Sequence, residues 1–142
     1  MTIHPSELVV PGPTPTGESE RFWAGCRDGE LLLQFCESCE HWVFYPRAIC
    51  PHCWSDRLDW RRSAGTGTVR SFTVVHKPGH PGWAVAAPYT VAVIDLAEGP
   101  TMLTALVGVE PADVRVGLPV RVSFERVGEF VLPFFTPEPP TT

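Results

Sequence analysis

Cys36-Glu37-Ser38-Cys39 and Cys50-Pro51-His52-Cys53, separated by ten residues, decide how the rest of the chain is read. A Cys-x-x-Cys turn lets two thiolates converge on one ion at about 2.3 Å, and two such turns close a tetrahedron. Soft thiolates favour zinc, with rubredoxin-type iron as the competitor. Four of them leave no open position for water or substrate, so the site reads as structural. It replaces the core that the roughly 30 residues from Leu31 to Trp60 cannot bury unaided. His41 and His52 stand beside the motif and read as solvated neighbours rather than ligands. The fifth cysteine, Cys26, has no partner in the motif and no adjacent base. It reads as a plain semi-buried thiol, not a nucleophile.

Working outward towards the N-terminus, Leu31-Leu32-Leu33-Gln34-Phe35 runs as a strand into the first cysteine pair. Residues 16–27 form the one short helix candidate. Thr16 or Ser19 would cap it, Glu18 and Glu20 suit its first turn, and Phe22-Trp23 give it an apolar face. Gly25 and Gly29 predict an early end. Residues 1–15, with Pro5, Pro11, Pro13 and Pro15, read as an extended arm that is ordered only if something packs on it.

Beyond Trp60 the pattern changes to short strands bounded by turns. Residues 69–76, 89–96, 101–107, 119–125 and 130–135 are predicted strands, and Gly65-Thr66-Gly67-Thr68 bends the chain into the first of them. Residues 101–107 pair back on 89–96 as a hairpin through Glu98-Gly99-Pro100. Five strands in this span fit a small OB-type barrel better than a sandwich, which needs about seven. The expected fold is therefore mainly β. Its parts are an extended arm (1–15), an N-terminal helix (16–30), a rubredoxin-like zinc ribbon (31–60), an OB-fold barrel (61–136) and a tail (137–142).

The 142 residues are 44% hydrophobic and 19% charged, which excludes global disorder and fibrous classes. Sixteen prolines exclude a fold dominated by long helices. The apolar runs are far too short for a membrane helix, which needs about 20 residues. The first residues, Met1-Thr2-Ile3-His4-Pro5, lack a basic flank and an apolar stretch, so no secretory leader is expected. Reduced thiols holding a metal, and a cytoplasmic location, follow as the expectation.

Signatures of autonomous chemistry are missing: there is no Gly-x-Ser-x-Gly elbow, no phosphate-binding Gly-x-x-x-x-Gly-Lys loop and no His-Glu-x-x-His. The chain is not expected to be an enzyme on its own. Its charge is uneven. The net value is −5, yet residues 47–77 hold six of the eleven cations against Asp56 and Asp59, about +4, leaving about −9 elsewhere. That stretch reads either as a solvated face with Asp–Arg pairing or as a clamp for an anionic ligand, with Arg47, Arg61, Arg62 and Arg70 as the contacts. A nucleic-acid-binding ribbon and OB fold is the alternative, but the acidic total argues against a phosphate-backbone binder. Trp42, Phe44, Tyr45, Trp54 and Trp60 crowd a ribbon too small to hide them all. They point to a protein partner or ligand surface.

Several stretches taken in order resemble one family. They are Phe22-Trp23, Gly29-Glu30-Leu31-Leu32-Leu33-Gln34-Phe35-Cys36 with Cys39, Tyr45-Pro46-Arg47 with Cys50-Pro51 and Cys53, and 65–76. Glu98-Gly99-Pro100, Val116-Gly117-Leu118-Pro119-Val120 and Leu132-Pro133-Phe134-Phe135 continue the series. Residues 20–136 are in this way similar to the DUF35 proteins, zinc ribbons joined to an acyl-CoA-associated OB fold. Glycine usually follows the second cysteine of each pair there. Glu40 and Trp54 stand in its place here, which argues against a left-handed turn at each knuckle without changing the thiolate count.

The resemblance implies a non-catalytic accessory subunit of a thiolase-fold enzyme, in condensation, acyl transfer or retro-aldol cleavage such as steroid side-chain degradation. A MaoC-type enoyl-CoA hydratase is the alternative partner. It implies structural zinc on Cys36, Cys39, Cys50 and Cys53. It also implies a hetero-oligomer; joined to the aromatic and charge readings above, it makes Phe22, Trp23, Trp42, Phe44 and Tyr45 the expected docking residues and puts Arg47, Arg61, Arg62 and Arg70 near CoA phosphates.

Overall fold

The computed structural model describes residues 4–139. The expected lack of a leader at residues 1–3 and the last three residues of the expected tail lie outside the described residues. Helix α1 (Glu20–Arg27) carries Glu20 in its first turn and Arg27 in its last, charges that complement the helix dipole. It starts later than predicted. Residues 16–19 form a separate turn in which the Ser19 hydroxyl accepts the Thr16 N–H at 2.8 Å, so Ser19 stands at the cap position without capping. The helix ends as glycine spacing predicts. Gly29 adopts φ 77°, the Glu30 N–H donates to the Gly25 carbonyl at 2.8 Å, and the Gly29 N–H donates to the Cys26 carbonyl at 3.1 Å.

A three-stranded antiparallel sheet follows, with β1 (Leu32–Cys36) between β2 (Trp42–Val43) and β3 (Leu58–Arg62). Only β1 was predicted. β2 is two residues long and β3 sets Trp60 among three charged residues, Asp59, Arg61 and Arg62, so neither carries an alternation that a pattern can detect.

The second sheet contains β4 (Thr66–Val75), β5 (Tyr89–Leu96), β6 (Thr101–Ala105), β7 (Pro119–Val127) and β8 (Phe130–Pro137) in the order β6-β5-β4-β7-β8. All neighbours are antiparallel. The two edges then approach each other: Leu106 bridges Phe135 in parallel, and the Val107 N–H donates to the Phe135 carbonyl at 2.8 Å. This is the nearly closed five-stranded OB barrel that the strand count predicts. β4 begins three residues earlier than expected. Gly67 lies inside it, pressed so close to β5 that a Cβ would collide with the Asp95 carbonyl. A bulge between Val69 and Ser71 leaves Arg70 unpaired in the ladder and turns its guanidinium to Asp95 at 3.2 Å.

The largest core cluster joins the parts. Phe22 and Cys26 of α1, with Leu31 and Leu33 at the start of the ribbon, pack with Val69, Ile94, Met102, Leu106, Val120 and Phe135 of the barrel. The N-terminal arm is packed as well. Leu8 is buried with Ala86, Tyr89, Val107, Val127 and Phe134, and the Val9 carbonyl fills the space where Gly82 lacks a side chain. No helix among the described residues is long and apolar enough to cross a membrane.

Candidate metal centre and docking face

The two cysteine turns are built alike, bond for bond. In the first, the Glu40 N–H donates to the Cys36 carbonyl at 2.7 Å and the Cys36 N–H to the His41 carbonyl at 2.9 Å. In the second, the Trp54 N–H donates to the Cys50 carbonyl at 2.9 Å and the Cys50 N–H to the Ser55 carbonyl at 2.8 Å. Both turns are left-handed at the residue after the second cysteine, with φ 62° at Glu40 and 67° at Trp54. The expectation that non-glycine residues disfavour this turn is therefore overturned. The conformation costs a side chain about 1–2 kcal/mol, and the paired bonds in each turn hold it. The Ser38 and Ser55 hydroxyls, 2.8 Å apart, tie one knuckle to the other.

All four Sγ atoms lie within 4.8 Å of one another, with Cys36 to Cys53 at 3.5 Å and Cys39 to Cys50 at 3.7 Å. A tetrahedral ion with metal–sulfur bonds of about 2.3 Å needs sulfurs about 3.8 Å apart, so the set fits one metal ion. Backbone N–H groups point at the sulfurs, as the His52 N–H does at Cys50 (3.4 Å). Those of Cys39 and Ser38 lower the Cys36 thiol to about 6, the Cys39 contribution being the largest, while desolvation pushes the Cys39 thiol up to about 12. His41 and His52 stack face to face at 4.3 Å, and His41 Nδ1 lies 3.3 Å from Cys39 Sγ. They surround the thiol set from outside it. Cys26 lies elsewhere, in the main core and 1% exposed, more deeply buried than the sequence suggested, and burial pushes its thiol up to about 12.

The barrel presents an apolar hollow of about 500 Å³ where α1, the segment after β2, β6 and β8 meet. Phe22, Trp23, Phe44 and Tyr45 line it together. Gln34 fixes the last two in place. Its side chain accepts the Arg47 N–H at 2.7 Å and donates to the Arg47 carbonyl at 2.8 Å. Trp42 does not join them. It lines a second hollow of about 300 Å³ with His41, His52 and the β5–β6 turn at Glu98 to Thr101. Trp83, Leu103 and Leu132 complete the larger hollow, and sequence reasoning missed all three because they come from separate strands and loops.

Three of the four candidate arginines hold carboxylates of this chain. Arg61 pairs with Asp59 at 3.2 Å and stacks over Phe35, Arg62 meets Glu30 at 3.7 Å, and Arg70 meets Asp95 at 3.2 Å. Arg47 is exposed beyond β2, its backbone held by Gln34. None of the four lines the larger hollow. The barrel and ribbon are joined by a different charged group. Glu98 accepts the Ser63 hydroxyl at 2.8 Å and the Ala64 N–H at 2.9 Å.

Comparison with known proteins places both parts. Residues 23–59 match the pattern described as the ChsH2 rubredoxin-like zinc ribbon domain, and residues 60–125 that described as the ChsH2 C-terminal OB-fold domain. Over 141 residues the chain is 35% identical to a probable enoyl-CoA hydratase alpha subunit of Thermomonospora curvata, covering 99% of this chain and 44% of that protein. This chain thus spans less than half of that relative's length. A DUF35 domain-containing scaffold protein of Pyrococcus furiosus is 33% identical over 112 residues, 78% of this chain and 80% of that one. Among solved structures, the Ltp2-ChsH2(DUF35) aldolase superposes with a TM-score of 0.80 at 35% identity, over 89% of this chain and 98% of the other.

Proposed function

The chain belongs to the DUF35 family, and from that membership we propose that it is an accessory subunit of an acyl-CoA-processing enzyme complex, holding a partner rather than carrying the chemistry. Relatives named as an enoyl-CoA hydratase subunit, a scaffold protein and an aldolase component support this reading. The observation that carries it is the convergence of Phe22, Trp23, Phe44 and Tyr45 on one apolar hollow in a chain whose four clustered thiols form a closed cage. Such a cage shapes a surface and offers no coordination site to a substrate.

The ion is zinc, held by Cys36, Cys39, Cys50 and Cys53, and its role is to fix the ribbon. The partner is a thiolase-fold subunit docked on the four aromatics, with Trp42 at the margin of that face. Arg47, Arg61, Arg62 and Arg70 are the cations available to CoA phosphates. Three of them already hold carboxylates, so a phosphate there displaces an exposed ion pair, which is worth little in water. A hydratase partner is the second reading, favoured by the name of the Thermomonospora relative. Co-expression with a thiolase-fold subunit and, separately, with a hydratase subunit from the same genome tests both. A thiolase-fold subunit in the purified complex supports the first reading and a hydratase the second. If neither co-purifies with the metal-loaded chain, the accessory role is refuted.

A further inference from the structure

The hollow is open along the seam where the barrel fails to close. Leu106 donates its N–H to the Thr90 carbonyl at 3.0 Å, which marks Thr90 and Leu106 as a hydrogen-bonded pair. Counting back along the antiparallel ladder, Thr104 with Ala92 and Met102 with Ile94 are the next such pairs. Leu103 lies between them, so its N–H and C=O face away from β5, towards the seam. Across the seam, β8 meets β6 at the Leu106–Phe135 bridge and at the Thr104 hydroxyl, which donates to the Pro133 carbonyl at 3.0 Å. Pro133 has no N–H to offer in return. Leu103 itself is 55% exposed on this free edge, at the wall of the hollow.

A second depression adjoins the first through Trp23, which lines both. It is bordered by Arg21 and Arg27 of α1, with Glu20 as the opposing charge. Elsewhere four arginines are matched within the chain, Arg57 with Glu37, Arg61 with Asp59, Arg62 with Glu30 and Arg70 with Asp95, while Arg47, Arg115, Arg121 and Arg126 stand away from the hollow's lining. Among the described residues, Arg21 and Arg27 have no such ion pair. In a chain of net charge −5, two unmatched guanidinium groups beside an apolar hollow are complementary to carboxylates brought by another molecule.

We propose that hollow and shelf form one recognition track for an extended segment of the partner subunit, pairing with the free edge of β6 at Leu103. An apolar side chain of that segment fills the space between Trp23, Tyr45 and Leu132, and its acidic residues lie against Arg21 and Arg27. Strand addition supplies backbone bonds and the hollow supplies selectivity. This rests on the accessory-subunit reading and names the chemistry that reading leaves open.

Two measurements test it. In the first, the full metal-loaded chain is titrated with a probe peptide carrying Val-Phe-Val between pairs of acidic residues, and tryptophan emission is followed. Saturable binding is expected, with affinity falling about tenfold or more in an Arg21→Glu/Arg27→Glu variant and unchanged in Arg57→Glu. In the second, a photo-crosslinking residue replaces Leu103 in the complex purified with its co-expressed subunit, and the attached peptide is sequenced. Attachment to an extended segment with acidic and apolar residues supports the track. A complex that forms with undiminished affinity in the charge-reversal variant and shows no cross-link from position 103 overturns the track while leaving the accessory role intact. Cross-links between two copies of this chain overturn it as well. Should no complex form, the accessory reading fails and the peptide alone decides: absence of binding overturns the track, and charge-dependent binding upholds it.

Discussion

Gln34 and Arg47 are thirteen positions apart, and the buried side chain of the first completes both backbone hydrogen-bonding groups of the second, at 2.7 and 2.8 Å. One amide thus acts as a one-residue strand for the segment that carries Phe44 and Tyr45. Gln34→Leu leaves two backbone groups unmatched, at a cost of about 1–3 kcal/mol. Denaturant unfolding of the metal-loaded variant should show that loss, and binding of the partner should weaken as the aromatics shift. A variant as stable as the parent would show that water replaces the amide without cost.

The thiol cage predicts one equivalent of zinc per chain by elemental analysis. Cys50→Ser removes a fully buried ligand and should lose both the metal and the complex. Cys26→Ser, outside the cage, should keep the metal. A complex that persists with the ion gone would contradict the structural role.

Burial holds the Cys26 thiol neutral up to about 12, against an ordinary value of 9.0, with Arg27 opposing the shift. A thiol raised in the folded chain stabilises the fold below pH 9 and loses that contribution as pH climbs from 9 towards 12. Unfolding at stepped pH should therefore show a fall in stability above 9 that Cys26→Ala flattens, even though the alanine lowers stability at neutral pH. Alkylation of Cys26 in the folded protein at pH 8 should be slow compared with the urea-unfolded chain.

Glycine at either knuckle position should be an improvement. Glu40→Gly and Trp54→Gly each remove the left-handed penalty of about 1–2 kcal/mol, partly offset by the freer unfolded chain. A rise in thermal midpoint of a few degrees is expected for each metal-loaded variant. A fall at Trp54 would reveal a packing contribution from the indole, which is 83% exposed.

Glu98 is the polar tie between the β5–β6 turn and the link from ribbon to barrel. Glu98→Ala should cost about 1–3 kcal/mol, and hydrogen exchange should quicken at Ala64 and Gly65. Unchanged exchange there would place the control of ribbon orientation in the apolar core instead.

Much of this was legible beforehand, for physical reasons that differ by residue. Cys36, Cys39, Cys50 and Cys53 announce their convergence through local spacing, since each pair closes within one turn. Strands such as β5 alternate cleanly because one face is buried, and its predicted limits coincide with those observed. β2 and β3 carried no such signal, being too short or too polar. The left-handed turns at Glu40 and Trp54 ran against residue preference because hydrogen bonds to Cys36 and Cys50 outweigh it. Charge counted along residues 47–77 suggested a cationic patch. In space Arg62 meets Glu30 and Arg70 meets Asp95, pairings with residues outside that stretch that a linear count leaves out. Leu103 and Trp83 could not be linked to Phe22 without knowing which strands bound the seam.

Leu31 and Leu33 stand at the entry to the ribbon, Leu31 just before its leading strand and Leu33 within it, yet their side chains are stoppers in the mouth of the barrel. A gene cut between the two halves would therefore not deliver two independent modules. The barrel half would be uncorked, with Val69, Ile94 and Phe135 opened to water.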